Sequence, residues 1–273
     1  MAATSVMPLH VLVAEDNPIN QLFAARLVER LGHTVHLVSN GQLAIDAMQH
    51  KSFDVVLMDI GMPVMDGFSA VRELRQRERQ TGCHLPVIAV TANATAVDRD
   101  SCLAVGMDDV VCKPFRAAEL EAAITRVLRD NPQAGPVIDA PDRADPVTNE
   151  MPVYDFLAAL KRLDGDQAFL VQLAQLFLDT VPEQLQSLRT AMQNRDVNLI
   201  GDLAHLVKGS VRHFMAASAY DSAQRLEIIS LSGDSEMIEQ TYKQLLNDVQ
   251  RLRIVLRSMM FSLPEASPNS GVS

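Results

Sequence analysis

An aspartate and a histidine, far apart in the sequence, each sit in surroundings suited to carrying a phosphoryl group. Asp59 closes the apolar run Val55-Val56-Leu57-Met58 and is followed by Ile60-Gly61-Met62-Pro63. His205 lies in Ala204-His205-Leu206-Val207-Lys208-Gly209-Ser210. A carboxylate holds a phosphoryl group as an acyl phosphate, and an imidazole nitrogen holds it as a phosphohistidine. The two adducts can exchange the same group, so their presence in one chain points to a relay.

Other residues placed like Asp59, just past short apolar runs, complete a set. Glu15 and Asp16 follow Val11-Leu12-Val13-Ala14, Thr91 follows Val87-Ile88-Ala89-Val90, and Lys113 follows Asp109-Val110-Val111-Cys112. In an open parallel sheet, chemistry collects outside the carboxyl ends of the strands. Three carboxylates meeting in one crevice repel each other unless a cation joins them. Oxygen-only donors and a phosphate substrate favour Mg²⁺. Asp59 then acts as nucleophile, and Glu15, Asp16, Asp59 and the backbone carbonyl of Gly61 hold the metal. The metal neutralises charge on the transferring group. Lys113 offers a point charge to a phosphate oxygen. Thr91 offers a hydroxyl, and the small Ala92 leaves that side open. A haloacid-dehalogenase phosphatase also uses an Asp after an apolar strand, but with a second Asp two positions on, where this chain has Gly61.

Around His205, helical spacing puts Gly201, Asp202, Lys208 and Gly209 on the same face. Lys208 can neutralise phosphate oxygens. The two glycines flanking the histidine leave space beside the ring, and tight helix packing explains them equally well. His213 lacks the Lys-Gly pair and reads as structural.

The elements that must position these residues differ between the two halves. In the first half, short β-branched runs alternate with amphipathic stretches such as Ile19, Leu22, Phe23, Leu27 and Leu31, with Asn17 as cap and Pro18 in the first turn. Five such strands alternating with five helices predict an α/β domain with a parallel sheet covered on both faces. The second half shows no convincing strand. Leu170, Leu173, Leu176 and Phe177 share one helical face, as do Leu245, Leu246, Val249, Leu252 and Leu256. Further helical patterns run over 197–215 and 218–230, with breaks at Gly165, Arg195-Asp196 and Ser232 to Asp234, which predicts an antiparallel helical bundle. Between the halves, residues 131–152 carry Pro132, Pro136, Pro141, Pro146 and Pro152 among acidic residues and read as a semi-rigid linker. Residues 262–273 read as a disordered tail.

The composition of the 273 residues agrees. Aromatics are only 4% with no Trp, so the cores rest on aliphatic residues and Met. A net charge of −10 disfavours nonspecific binding to nucleic acid or to a membrane surface. Cys83, Cys102 and Cys112 show no metal spacing and read as reduced thiols. Neither a signal peptide nor a run of about 18 apolar residues is visible, so a soluble cytoplasmic chain is expected.

The first half, over about residues 7–130, resembles the receiver domain of two-component response regulators. The resemblance rests on Glu15-Asp16, Met58-Asp59-Ile60-Gly61-Met62-Pro63, Met65-Asp66-Gly67, Thr91-Ala92 and Lys113-Pro114-Phe115. It implies a flavodoxin-like sheet of order 2-1-3-4-5 and a cis bond before Pro114. The wording of Ala14 to Asn20 is similar to receivers of hybrid sensor kinases. One departure is Val110, where such domains usually place Tyr or Phe as a switch, so this receiver is expected to pass phosphate on rather than switch a partner surface. The second half, over about 153–261, resembles a histidine phosphotransfer domain, through the core from Ala204 to Ser210 and Leu163-Asp164-Gly165-Asp166-x-x-Phe169 upstream. That resemblance implies His205 as phosphoryl carrier, supported by Lys208, Gly209 and Ser210. Met215 stands where the family often has Gly.

No GxxxxGK[ST] loop and no Asp-x-Gly-x-Gly run is present, so the chain is a phosphotransfer protein without an ATP-binding kinase domain. The expected partners are a histidine kinase and a response regulator. The alternative is a binding or scaffold protein in which phosphorylation of Asp59 regulates docking of an inert bundle.

Overall fold

A computed structural model describes residues 7–92, 96–113, 115–129 and 153–262. The chain divides into two compact units, one within residues 1–141 and the other within 142–273. The expected linker over 131–152 lies outside the described residues, as do Pro114 with its expected cis bond and residues 263–273 of the expected tail. The residue before that tail segment, Ser262, is helical.

The first unit alternates strand and helix as the hydrophobic runs predict: β1 His10–Ala14, α1 Pro18–Arg30, β2 Thr34–Val38, α2 Gly41–His50, β3 Val55–Asp59, α3 Gly67–Thr81, β4 Val87–Thr91, α4 Ala96–Val105, β5 Asp109–Cys112 and α5 Ala117–Leu128. All four strand pairings are parallel, in the order β2-β1-β3-β4-β5. The three central strands are buried along nearly their whole length, whereas edge strand β2 is half-exposed. That is why β1, β3 and β4 read as continuous apolar runs. Register aligns the carboxyl ends, with Ala14 opposite Met58, Asp59 opposite Val90, and Thr91 opposite Cys112. Leu12, Ala14, Val56, Met58, Val87 and Ala89 meet Ile45, Val71 and Leu74 in one core layer, against which Val110 is partly buried. Cys83, Cys102 and Cys112 form no disulfide among the described residues.

The second unit is helical: α6 Phe156–Arg162, α7 Gln167–Asn194, α8 Val197–Arg212, α9 Ala217–Ser230 and α10 Ser235–Ser262. Consecutive helices pack together, α7 on α8, α8 on α9 and α9 on α10. The leucine stripes fill the core, where Leu170, Leu173, Phe177, Leu245, Leu252 and Leu256 are fully buried. Asp155, Asp166 and Asp196 cap α6, α7 and α8 by accepting hydrogen bonds from backbone N–H groups. Helix α8 is shorter than its apolar pattern, because Met215 takes φ +52° beyond its end. That left-handed conformation is where glycine is the ordinary residue, which accounts for the departure seen in the sequence. The Met215 sulfur accepts a hydrogen bond from Arg162 at 3.1 Å. No described helix is long and apolar enough to cross a membrane.

Candidate functional site

The first site forms at the carboxyl ends of β1, β3, β4 and β5. Asp59 is the last residue of β3 and is 5% exposed. Its carbonyl side is closed by Gly67, where a Cβ would lie 2.2 Å from the Asp59 backbone oxygen. Gly67 N–H also donates to the Ile60 carbonyl at 3.0 Å, so the loop after Asp59 returns tightly to α3. Asp66 caps α3 through Ser69 N–H.

Glu15 stands directly after β1 and is buried. One oxygen accepts from Asn17 N–H at 3.2 Å and from Asn20 Nδ2 at 2.8 Å. Its other oxygen meets Lys113 Nζ at 2.6 Å, and the same ammonium reaches Asp59 Oδ2 at 2.5 Å. Lys113 is aimed there by its own backbone, whose N–H donates to the Thr91 carbonyl at 2.6 Å. The half-buried Asp16 completes an acidic group, in which Glu15, Asp16 and Asp59 each bring one oxygen within 4.8 Å of the others. Three carboxylates against one ammonium leave the pocket negative. The oxygen-only donor set is that of a hard divalent cation.

Burial pushes the Glu15 carboxyl up, to about 7; Asp59 adds to the rise and Lys113 opposes it. Burial works against the Lys113 ammonium, but Glu15 and Asp59 more than reverse this and raise it above the usual lysine range. Thr91 ends β4 and is buried at the site's edge. Gly61 lies exposed two residues past Asp59.

The second site lies in the helical unit. His205 sits midway along α8, with its side chain 36% exposed. Its Nδ1 is 2.6 Å from Glu227 Oε1 on α9. The other Glu227 oxygen accepts from Lys208 Nζ. Burial raises the Glu227 carboxyl, but the hydrogen bonds from His205 and Lys208 outweigh it and hold the group below the usual range. An ionised carboxylate only accepts hydrogen bonds, so Nδ1 must carry the proton. The neutral ring then presents Nε2 with its lone pair. Lys208 is therefore paired with Glu227 and largely buried.

Sequence reasoning missed Glu227, and no helical spacing could have found it, because it lies on the neighbouring helix. For the flanking glycines, the residue pattern leaves packing and space beside the ring equally open. Gly201 serves packing, since a Cβ there would lie 2.8 Å from Ser230 Oγ on α9. Gly209 is half-buried. Ser210 is fully buried and donates to the Leu206 carbonyl at 3.0 Å, which turns its hydroxyl into the helix and away from the expected supporting role. His213 is buried at the end of α8, as a structural histidine should be.

Comparison with known proteins matches both units to known domains. The profile of the response regulator receiver domain matches residues 11–125, and that of the Hpt domain matches residues 172–254. The sensor protein GacS of Pseudomonas syringae pv. syringae is 29% identical over 256 residues, which cover 91% of this chain and 27% of that protein. The histidine-protein kinase BarA of Escherichia coli (strain K12) is 28% identical over 232 residues, covering 85% of this chain and 25% of that protein. The chain thus spans about a quarter of the length of these curated relatives. Among solved structures, the receiver domain of sensor histidine kinase PA1611 from Pseudomonas aeruginosa PAO1, with a magnesium ion coordinated in its active site cleft, is 40% identical. It covers 45% of this chain and 98% of its own, with a TM-score of 0.41.

Proposed function

From a chain that joins a response regulator receiver domain to an Hpt domain, we propose a two-component phosphorelay protein in which Asp59 and His205 carry the phosphoryl group. The observation that carries this reading is the presence of two complementary sites: an ammonium-braced carboxylate at a strand end, and an imidazole whose Nδ1 is held by a carboxylate. The domain bounds we assign are 7–130 and 153–261, joined by the linker over 131–152.

In the first site, Asp59 Oδ attacks phosphorus of a phosphohistidine or a small acyl phosphate. A P–O bond forms to the carboxylate as the bond to the donor breaks, and the donor leaves with the electron pair. Glu15, Asp16, Asp59 and the Gly61 carbonyl would hold Mg²⁺, which would neutralise charge on the transferring group. Lys113 holds a phosphate oxygen by charge, and Thr91 donates its hydroxyl. In the second site, His205 Nε2 attacks phosphorus of an acyl phosphate. An N–P bond forms, and the aspartate carboxylate is released. Glu227 holds the Nδ1 proton throughout, and Lys208 places positive charge beside the incoming group. The reverse flow uses the same atoms.

The partners on this reading are a histidine kinase and a response regulator, and the location is cytoplasmic. The His205–Glu227–Lys208 cluster favours the relay over an inert bundle that only docks, because a docking surface has no use for a fixed imidazole tautomer. The test is phosphotransfer with Asp59→Asn and His205→Gln in the full chain. Acid-labile label is expected on His205 only when a phosphorylated receiver is supplied. Label that reaches the His205→Gln chain equally well sinks the assignment.

A further inference from the structure

The loop from Ile60 to Asp66 forms the rim of the cleft over Asp59, and its tip is strained. Val64 has φ +70°. Met65 N–H donates to the Pro63 carbonyl at 2.8 Å, closing a three-residue γ-turn around Val64. That positive-φ form is the rare and strained one, and a β-branched residue suits it least. Asn or Gly would occupy it with less strain.

The cause of the conformation is visible on both sides of the tip. The Met65 carbonyl accepts from Gly41 N–H at 3.0 Å, and a Cβ at Gly41 would lie 2.7 Å from that oxygen. Gly67 is pressed against Asp59 and Ile60. With Met65 and Gly67 pinned, the turn is imposed on whatever residue stands at 64. What needs explaining is why that residue is valine. Val64 is 86% exposed, so packing within the domain does not offset the strain or reward the apolar side chain.

We propose that Val64 is a specificity-determining contact for the partner that exchanges phosphate with Asp59, and that this partner is a histidine-bearing helical bundle with apolar surface beside its histidine. The inference rests on the relay reading. Asp59 is nearly buried, so a phosphohistidine reaches it only if its helix settles on the loops around the cleft, and the exposed Val64 lies in the loop that directly follows Asp59. A surface of the required kind exists on Hpt domains of this chain's own type. Next to Glu227, the partner of His205, Ile228 is 61% exposed, and Leu231, three residues on at the C-cap of α9, is 81% exposed.

The test uses full chains in trans. A His205→Gln chain is phosphorylated on Asp59 with acetyl phosphate and Mg²⁺, then mixed with an Asp59→Asn chain that offers His205. With Val64→Asn added to the donor, transfer is expected to slow by about ten-fold, as befits losing one buried valine. Labelling by acetyl phosphate should change less than two-fold (about the scatter for a distant substitution), and the donor should melt a few degrees higher because the strain is relieved. Val64→Ile should retain the transfer rate. Equal transfer from Val64 and Val64→Asn donors overturns the role of Val64 and leaves the relay standing. No transfer even with Val64 present overturns the relay reading, and this inference with it.

Discussion

His205 and Glu227 stand on neighbouring helices of the bundle, with Nδ1 and Oε1 2.6 Å apart. The carboxylate bridges onward to Lys208, so one glutamate holds both the imidazole and the neighbouring ammonium. Hydrogen bonds to a charged group contribute about 1.5–3 kcal/mol. Glu227→Ala should therefore slow phosphoryl transfer to His205 by about ten-fold or more. Nitrogen NMR of His205 should show the Nε2-bare tautomer in the parent and a mixture in the variant. A single unchanged tautomer in Glu227→Ala would refute the assignment.

The Glu227 carboxyl, held below its usual range by the hydrogen bonds from His205 and Lys208 despite its burial, makes one contribution to the bundle's stability that depends on pH. A carboxyl whose folded pKa lies below its unfolded value stabilises the fold fully above the ordinary value of 4.5, and that contribution fades as pH falls through the folded pKa. The stability gap between the parent and Glu227→Gln should be widest above pH 4.5 and close on further acidification. Denaturant midpoints measured across that range check this, and a gap independent of pH argues against it.

Glu15 has the opposite sign. Its carboxyl is raised by burial to about 7, so without bound cation the folded state keeps a proton that the unfolded chain loses near 4.5. At low pH both states are protonated and Glu15 costs nothing. As pH rises from 4.5 through about 7 its cost grows, and stability falls. Cation binding needs the ionised form, so Mg²⁺ affinity should increase with pH up to about 7 and then level off. Calorimetry in buffers of different ionisation enthalpy should detect proton release on Mg²⁺ binding near pH 6. An affinity that is flat with pH contradicts it.

Two glycines should respond differently to alanine. At Gly67 the new Cβ meets a backbone oxygen that cannot turn aside, 2.2 Å away. Gly67→Ala should cost more than about 2 kcal/mol and impair phosphorylation of Asp59 by small donors. At Gly201 the obstacle is the Ser230 hydroxyl at 2.8 Å, so Gly201→Ala should cost less, and Ser230→Ala should restore most of the loss. Urea titrations of the single and double variants decide both points. Equal damage at the two glycines would count against this account.

Much of the protein was legible in residue order. Strand ends carry their chemistry on the chain itself, because a parallel strand buried on both faces must be a short apolar run, and the residue after it must emerge at the same edge of the sheet. Glu15, Asp16, Asp59, Thr91 and Lys113 could therefore be assigned to one crevice from position alone. The helical stripes of the second half likewise foretold a bundle, since period and burial share one cause.

What spacing could not reveal was which groups meet across elements. Lys113 bridging Glu15 and Asp59 depends on the sheet order that sets β5 two strands from β3. Glu227 reaching His205 depends on how α9 lies against α8, and Gly201 belongs to that same close packing. The left-handed backbone of Val64 likewise follows from its pinned neighbours, Met65 and Gly67, and not from local residue type. The sequence by itself determined the elements of both units and pointed to the two residues proposed to carry phosphate, because those follow from local period and composition. Only the tertiary structure decided the partners of those residues, because charge pairing, tautomer and backbone strain arise from contacts between segments distant in the chain.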